Sequence, residues 1–147
     1  MKKFVFNLES VLGLREWEEQ LSQQAFAAAS SEVAILEQRI LETERERDAV
    51  FEKWSAASGS RFTRNDRLAM IGSAEALQQS RKASEDSLKT AREKRTKAMS
   101  GLSDAIRAKK VVENLKQRRL EDYRTEAQRV EAQEVEDVFN SRRRKGM

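Results

Sequence analysis

Apolar residues recur at steps of three and four along two long stretches of this chain. The first stretch runs from Leu14 to Trp54, and the second runs from about Ser73 to about Arg143. Such steps place residues on one narrow stripe of an α-helix, with charged residues on its other sides. A stripe this narrow cannot enclose a large core, so each helix is predicted to lie along a partner helix.

The two predicted contact stripes differ in regularity. The first contains Leu14, Trp17, Leu21, Ala25, Ala29, Val33, Leu36, Ile40, Thr43, Arg47, Val50 and Trp54. Every step between Trp17 and Val33 is four residues, which predicts a stutter that locally relaxes a left-handed supercoil. The second contains Leu77, Ser84, Leu88, Ala91, Arg95, Ala98, Leu102, Ala105, Lys109, Val112, Lys116, Leu120, Tyr123, Ala127, Val130 and Val138. Gly101 is expected to weaken this helix by about 1 kcal/mol relative to Ala.

Residues 55–72 interrupt the periodic pattern and predict a turn. Gly59 is expected to end the first helix, and Asn65 with Asp66 is expected to cap a short helical turn. The predicted fold is therefore all-α, with two long helices in an antiparallel coiled-coil hairpin. It is predicted as a single hairpin over residues 1–147, with helix 1 at about 5–56, a turn at about 57–72 and helix 2 at about 73–143.

The distribution of charge favours pairing between these two helices. Residues 1–60 carry 7 basic and 11 acidic side chains, whereas residues 61–147 carry 22 and 14. Opposite net charges on antiparallel helices favour an intramolecular hairpin over the pairing of two like helices.

The composition excludes much catalytic chemistry. The chain has no Cys and no His, so thiolate nucleophiles, cysteine-bound zinc and the usual general base are absent. The five glycines stand too far apart for a phosphate-binding loop. We therefore expect no enzyme, no catalytic residue, no cofactor and no metal site, and interpret the chain as an interaction protein.

Neither a membrane span nor a nucleic-acid interface is predicted. Asn7 and Glu9 interrupt the short apolar start before it reaches the length of an export signal, and no apolar run approaches the ~20 residues of a membrane span. Acidic residues are interleaved with the basic doublets at 109–110 and 118–119, which argues against a basic stripe for nucleic acid. We expect a cytoplasmic protein without direct membrane insertion.

Both ends of the chain resemble FliJ, the flagellar type III export protein family. The resemblance at the start is carried by Phe4, Phe6, Leu8, Val11, Leu12, Leu14, Arg15 and Glu19. At the far end it is carried by Glu113, Leu115, Arg118, Arg119, Tyr123 and the acidic-hydrophobic run from Glu134 to Asp137. The middle of the chain is less similar to the family.

This resemblance implies a hairpin similar to the central stalk of rotary ATPases and a role in flagellum biogenesis. Its implied partners are the hexameric flagellar export ATPase, whose assembly it promotes, the export gate in the membrane, and unloaded export chaperones that it escorts. The implied location is the cytoplasm, peripherally associated with the inner membrane at the flagellar base.

Two interpretations of the apolar N-terminus are open: its phenylalanines fold back on the neighbouring helix, or they are exposed for a protein partner. With the resemblance, we predict that the apolar termini form an adhesive tip that enters the ATPase ring. The tip residues are Phe4, Phe6, Leu8, Val11, Leu12, Tyr123, Val130, Val135, Val138 and Phe139. The first five are expected to face Val130, Val135, Val138 and Phe139. A further expectation places the export-gate contact at Val50, Phe51, Trp54 and Phe62. The second helix is expected to act as stalk up to about Leu120 and as tip from Tyr123 to Phe139.

Two alternatives remain open from the residues alone. One is a homologous stalk from a virulence type III secretion system, with the same fold and a different ATPase ring. The other is a generic structural or nucleic-acid-binding coiled coil, which predicts salt-sensitive retention of DNA or RNA.

Overall fold

Two long helices account for nearly all of the described structure. The computed structural model describes residues 2–57, 59 and 62–146. Within these residues α1 spans Glu9–Ala57, α2 spans Arg64–Lys145, and there is no strand. The two helices pack against each other, so the predicted all-α helical hairpin is confirmed.

The chain folds as two compact units, each containing a segment of both helices. The terminal unit consists of Met1–Gln20 and Ser103–Met147, and the middle unit consists of Leu21–Leu102. In both units, residues that come later in α1 pair with residues that come earlier in α2. The middle unit pairs Glu37 with Arg92 and Glu44 with Arg81, which makes its two helical segments antiparallel.

The middle unit has an apolar core at the predicted contact stripe. Val33 and Leu36 from α1 pack with Leu88 and Ala91 from α2, and Ile40 covers one side of this cluster. The polar stripe residues Thr43 and Ser84 are also buried. The Thr43 hydroxyl donates a hydrogen bond to the carbonyl oxygen of Arg39 at 2.9 Å, so its burial does not leave the donor unpaired.

Ion pairs between the helices follow the charge difference seen in the sequence. Each pair between helices among the described residues joins an acid of α1 to a base of α2. The pairs are Glu44–Arg81 at 2.9 Å, Glu37–Arg92 at 3.2 Å, Glu19–Lys109 at 2.5 Å and Glu9–Lys116 at 2.9 Å. Within each unit the ion pairs therefore match the opposite net charges of the two helices.

The predicted stripe is wrong in the first third of α1. Leu14, Trp17, Leu21 and Ala25 are all exposed, and Trp17 leaves 57% of its surface accessible. The shielded positions instead include the series Leu8, Leu12, Arg15, Glu19, Ser22, Phe26, Ala29 and Val33. Their steps alternate strictly between four and three, as do those that follow as far as Trp54, so the predicted stutter is absent.

The helix boundaries also differ from those predicted. α1 begins at Glu9 rather than near residue 5, because residues 2–6 are not helical. α2 begins at Arg64 rather than near residue 73, since Thr63 and Asp66 form a reciprocal cap. The Asp66 amide donates to the Thr63 hydroxyl, and the Thr63 amide donates to the Asp66 carboxylate, both at 3.2 Å. Gly72 and Gly101 therefore lie inside α2.

Candidate protein-binding site

The non-helical N-terminal residues lie along α2 in the terminal unit. The ring of Phe4 packs against the ring of Tyr123, with centroids 5.4 Å apart and planes tilted by 51°. The Tyr123 hydroxyl donates a hydrogen bond to the Lys2 carbonyl oxygen at 2.5 Å. Arg119 also donates to the side-chain oxygen of Asn7. These contacts hold the segment in place without helical hydrogen bonds.

Phe6 is a core residue of the terminal unit. Its side chain is only 6% exposed, and Leu12 is similarly buried. The ammonium of Lys116 and the guanidinium of Arg119 lie 6.0 and 5.8 Å from the centre of the Phe6 ring. Cations at this distance from an aromatic face are attracted by its quadrupole. Phe6 and Leu12 therefore support the terminal unit rather than present a surface to a partner.

Ion pairs also form at other positions along the helices of the terminal unit. Lys109 lies between Glu19 on α1 and Glu113 on its own helix, at 2.5 and 3.7 Å. The hydrogen bond to Glu19 is the main reason that the pKa of Lys109 is raised. Nearer the end of α2, a hydrogen bond from Arg129 lowers the pKa of the Glu126 carboxyl. These pKa shifts favour the charged forms of Lys109 and Glu126.

The last turns of α2 expose an apolar cluster. Val135, Val138 and Phe139 each leave more than half of their surface accessible, and every described residue from Glu131 to Gly146 is exposed. The prediction that the N-terminal phenylalanines face these three residues is therefore wrong. The physical reason is the pairing register, since Phe4 and Phe6 meet Lys116, Arg119 and Tyr123 instead.

The other predicted tip residues are partly shielded. Phe4, Leu8, Val11, Tyr123 and Val130 are intermediate in exposure. The structure thus brings the N-terminal part of the predicted tip together with Tyr123. It leaves Val135, Val138 and Phe139 as a separate exposed cluster, and it does not place Val138 in the helix contact.

The predicted gate-contact residues lie near the end of α1 and just before α2. Phe51 is exposed and stacks on Trp54, with ring centroids 6.4 Å apart and planes 15° from parallel. Val50, Trp54 and Phe62 are half-buried. Phe51 is therefore the most accessible of the four.

Two kinds of accessible surface were missed from the sequence. Val5 is exposed beside the buried Phe6, and Leu14 with Trp17 lies on the outer side of α1. The alternation of steps of four and three continues without interruption if Arg15 and Glu19 are taken as contact positions. This alternation leaves the bulkier Leu14 and Trp17 outside the helix contact and was the signal that could have identified them as exposed. The two cations over the Phe6 ring lie within residues 109–119, the region that also contains the basic doublets at 109–110 and 118–119.

Two of the grooves in the described structure are lined by both apolar and charged side chains. A groove of about 370 Å³ in the terminal unit is lined by Phe4, Val5, Phe6 and the charged Lys3, Glu9 and Lys116. A larger groove of about 840 Å³ lies beside Ile40 and Leu88 in the middle unit and is lined otherwise by polar residues of α2. The described residues include no cluster of metal-ligating side chains, and no described helix is long and apolar enough to cross a membrane.

The fold and its exposed apolar side chains define a helical-hairpin protein whose surfaces suit binding to other proteins. A family model described as "Flagellar FliJ protein" matches residues 4–144 of the 147. The chain belongs to the FliJ family and is accordingly a component of the flagellar type III export apparatus. Searches of curated proteins and of solved structures each found no match.

Proposed function

We propose that this chain is a non-enzymatic stalk that binds the hexameric flagellar export ATPase and promotes its assembly. The ATPase contact is made by the exposed surface of the terminal unit, chiefly Val135, Val138 and Phe139. The observation that carries the proposal is this apolar cluster on a charged helical segment, because exposed contiguous apolar surface marks sites of protein association.

The buried residues of the predicted tip have a supporting role in this proposal. Phe6 and Leu12 pack inside the terminal unit, so they hold the N-terminal segment against α2. Phe4, Leu8, Val11, Tyr123 and Val130 flank that contact. Because Val5 is exposed in the same segment, it is available to extend the binding surface toward the N-terminus.

The proposal is tested by ATPase stimulation with the triple variant Val135→Asp, Val138→Asp and Phe139→Asp. Carboxylates at these positions oppose transfer into an apolar interface, so we expect at least a tenfold loss of stimulation and of ATPase binding. Substitution of Phe6 is a poorer test, because loss of a buried ring also disturbs the fold.

Val111→Asp provides a matched control, since Val111 is 68% exposed on α2 of the same unit but lies outside the cluster. We expect Val111→Asp to stimulate the ATPase as the wild type does. Stimulation by the triple variant at the wild-type level, with helicity preserved, would refute the proposed contact.

We further propose that Phe51, with Val50, Trp54 and Phe62 around it, contacts the export gate. The support is that Phe51 is exposed while resting on Trp54, which resembles an aromatic anchor held ready for a partner. Phe51→Ala is expected to weaken capture of the cytoplasmic part of the gate protein. Leu68→Ala, at another exposed apolar residue of the middle unit, serves as the control that should not change capture.

The remaining roles are the escort of unloaded export chaperones and a cytoplasmic location, peripheral to the inner membrane at the flagellar base. Membrane association through the gate predicts that the chain leaves the membrane fraction when the gate protein is deleted. Retention in the membrane fraction without the gate would contradict this association.

A virulence-system stalk predicts preferential binding to that system's ATPase, and a nucleic-acid-binding coiled coil predicts salt-sensitive DNA retention. Parallel pulldowns distinguish these alternatives.

A further inference from the structure

The end of α2 carries a stripe whose charge pattern is self-complementary. Glu131, Val135, Val138 and Arg142 follow one another at steps of four, three and four. At 3.6 residues per turn they fall within an arc of about 60° on the helix surface. We call these four residues the terminal stripe. Read from either end, it presents one charge, two valines and the opposite charge.

The terminal stripe has no partner among the described residues. All four of its side chains are exposed, and neither Glu131 nor Arg142 belongs to an ion pair between described residues. Phe139 lies one turn beyond Val135 and widens the apolar centre. The charges that flank the stripe on the helix surface have the same polarity: Glu134 lies beside its acidic half and Lys145 lies beside its basic end, whereas Glu136 and Asp137 fall on the opposite face of the helix.

We propose that the terminal stripes of two copies of this chain pair antiparallel. This alignment puts Glu131 of each copy opposite Arg142 of the other and Val135 of each copy opposite Val138 of the other. A parallel alignment would put like charges opposite each other, which is unfavourable. The occupant of the exposed apolar face is thus a second copy of the same segment.

The self-association is weak. Only a few side chains per copy are covered, so the interface falls below the roughly 1,200–2,000 Å² of stable complexes. We expect a Kd on the order of 100 µM at low salt, weakening as added salt screens the charge pairs. Paired copies hide Val135 and Val138 and so cannot offer them to another protein at the same time. The inference stands or falls independently of binding to the export ATPase.

Charge reversal tests the pairing without disturbing the core, because both charged residues lie on exposed helix. Sedimentation equilibrium of the full chain is measured from about 10 µM to about 1 mM, a range that brackets the expected Kd. Glu131→Arg and Arg142→Glu alone each create two like-charge pairs in the dimer, so each is expected to weaken association roughly tenfold. The double variant restores both pairs and is expected to associate like the wild type.

A mixture of the two single variants gives the sharpest outcome. One copy then carries two arginines and the other two glutamates at the charged positions of the stripe, so the mixed dimer has both pairs restored while each variant alone associates roughly tenfold more weakly. The mixed dimer also pairs opposite charges in a parallel alignment, but the parallel wild type opposes like charges, so a parallel mixture would associate more tightly than the wild type. Association of the mixture at wild-type strength therefore supports the antiparallel alignment, and a mixture tighter than the wild type contradicts it. A mixture no tighter than the single variants, or a wild type that remains monomeric at about 1 mM, overturns the proposal.

Because the chain contains no Cys, introduced thiols report the alignment directly. Val135→Cys mixed with Val138→Cys is expected to form disulfide-linked dimers faster than either variant alone, since those positions oppose each other. Faster cross-linking of either single variant than of the mixture would overturn the antiparallel alignment.

Discussion

The two units of this molecule bring the same two helices together by different means. In the middle unit, four buried aliphatic side chains, Val33, Leu36, Leu88 and Ala91, form the contact. In the terminal unit, the contact centres on Phe6 beneath two cations, with Lys109 and Lys116 bound to glutamates of α1. Salt screens exposed charges but does not screen the burial of apolar surface. Each unit has two ion pairs between its helices, and the terminal unit adds the contacts of cations with the Phe6 ring.

This comparison distinguishes the residues that stabilise the fold from the residues that remain exposed for binding. The middle unit buries Val33, Leu36 and Leu88 in its own core, although Ile35 and Leu68 stay exposed. The terminal unit instead keeps Val135, Val138 and Phe139 exposed, beyond the part of α2 that the N-terminal segment contacts. The comparison predicts that damage to the middle unit is costly for stability, and that damage to the terminal unit is milder and more dependent on salt and pH.

The largest effect is expected for Leu88→Ala in the middle unit. Leu88 is buried in the aliphatic core, and its truncation should lower the free energy of unfolding by about 3 kcal/mol. Urea unfolding followed by circular dichroism measures the change. Met99→Ala, at an exposed residue of the same helix, should stay within about 0.5 kcal/mol of the wild type. Equal effects of the two variants would refute the proposed core.

A smaller loss is expected for Phe6→Ala in the terminal unit. Removing the ring takes away buried apolar surface and the contacts with Lys116 and Arg119. Because the non-helical segment around Phe6 can collapse onto the gap, the cost should be about 2 kcal/mol of local stability, below the roughly 3–5 kcal/mol of a Phe→Ala change in a rigid core. Amide hydrogen exchange is expected to accelerate in residues 9–20, while the amides of residues 33–40 keep their protection. Val5→Ala, at the exposed neighbour, should change neither. Faster exchange in both units would show that they do not behave separately.

Gly101→Ala is expected to stabilise the chain. A Cβ at this position meets no atom within 4 Å, and alanine favours a helix interior over glycine by about 0.5–1 kcal/mol. The midpoint of urea unfolding should therefore rise. Gly59→Ala, which lies outside both helices and is equally open, should give a smaller gain. A loss of stability in Gly101→Ala would mean that α2 is not a continuous helix there.

The smallest effect is the pH dependence of the Lys109 pair. Glu19 raises the pKa of Lys109 in the folded protein above its ordinary value of 10.5. The pair therefore stabilises the fold fully below that ordinary value and loses its contribution as the pH rises through the folded pKa. Unfolding of Lys109→Met should be less sensitive to alkaline pH than that of the wild type. The control Lys110→Met, at an exposed neighbour, should keep the wild-type profile.

Part of this structure was predictable from the sequence because aliphatic residues marked the contact. The predicted stripe of α2 is shielded from Leu77 to Val130, and the acidic α1 pairs with the basic α2 as expected. The same reasoning failed for the first third of α1, where Arg15, Glu19 and Ser22 hold the contact positions. Bulky Leu14 and Trp17 one position away gave a stronger but misleading signal, because long polar side chains can line a helix contact with their stems.

The sequence predicted which segments form the proposed binding site, but not which of their residues contact each other. Hydrophobicity identified both termini, yet their relative register depends on pairing between distant residues. Phe6 with Lys116 and Arg119, and Phe4 with Tyr123, set that register. Local patterns contain no information about such contacts, so the sequence did not show that Val135, Val138 and Phe139 would stay exposed.

The most direct test of the account is hydrogen exchange of the full chain, alone and with the flagellar export ATPase, at low micromolar concentration. We predict that the ATPase slows exchange in residues 131–145, while the amides of residues 33–40 and 84–91 exchange as before. Protection confined to the middle unit, with residues 131–145 unchanged, would contradict the claim that the exposed end of α2 is the binding surface.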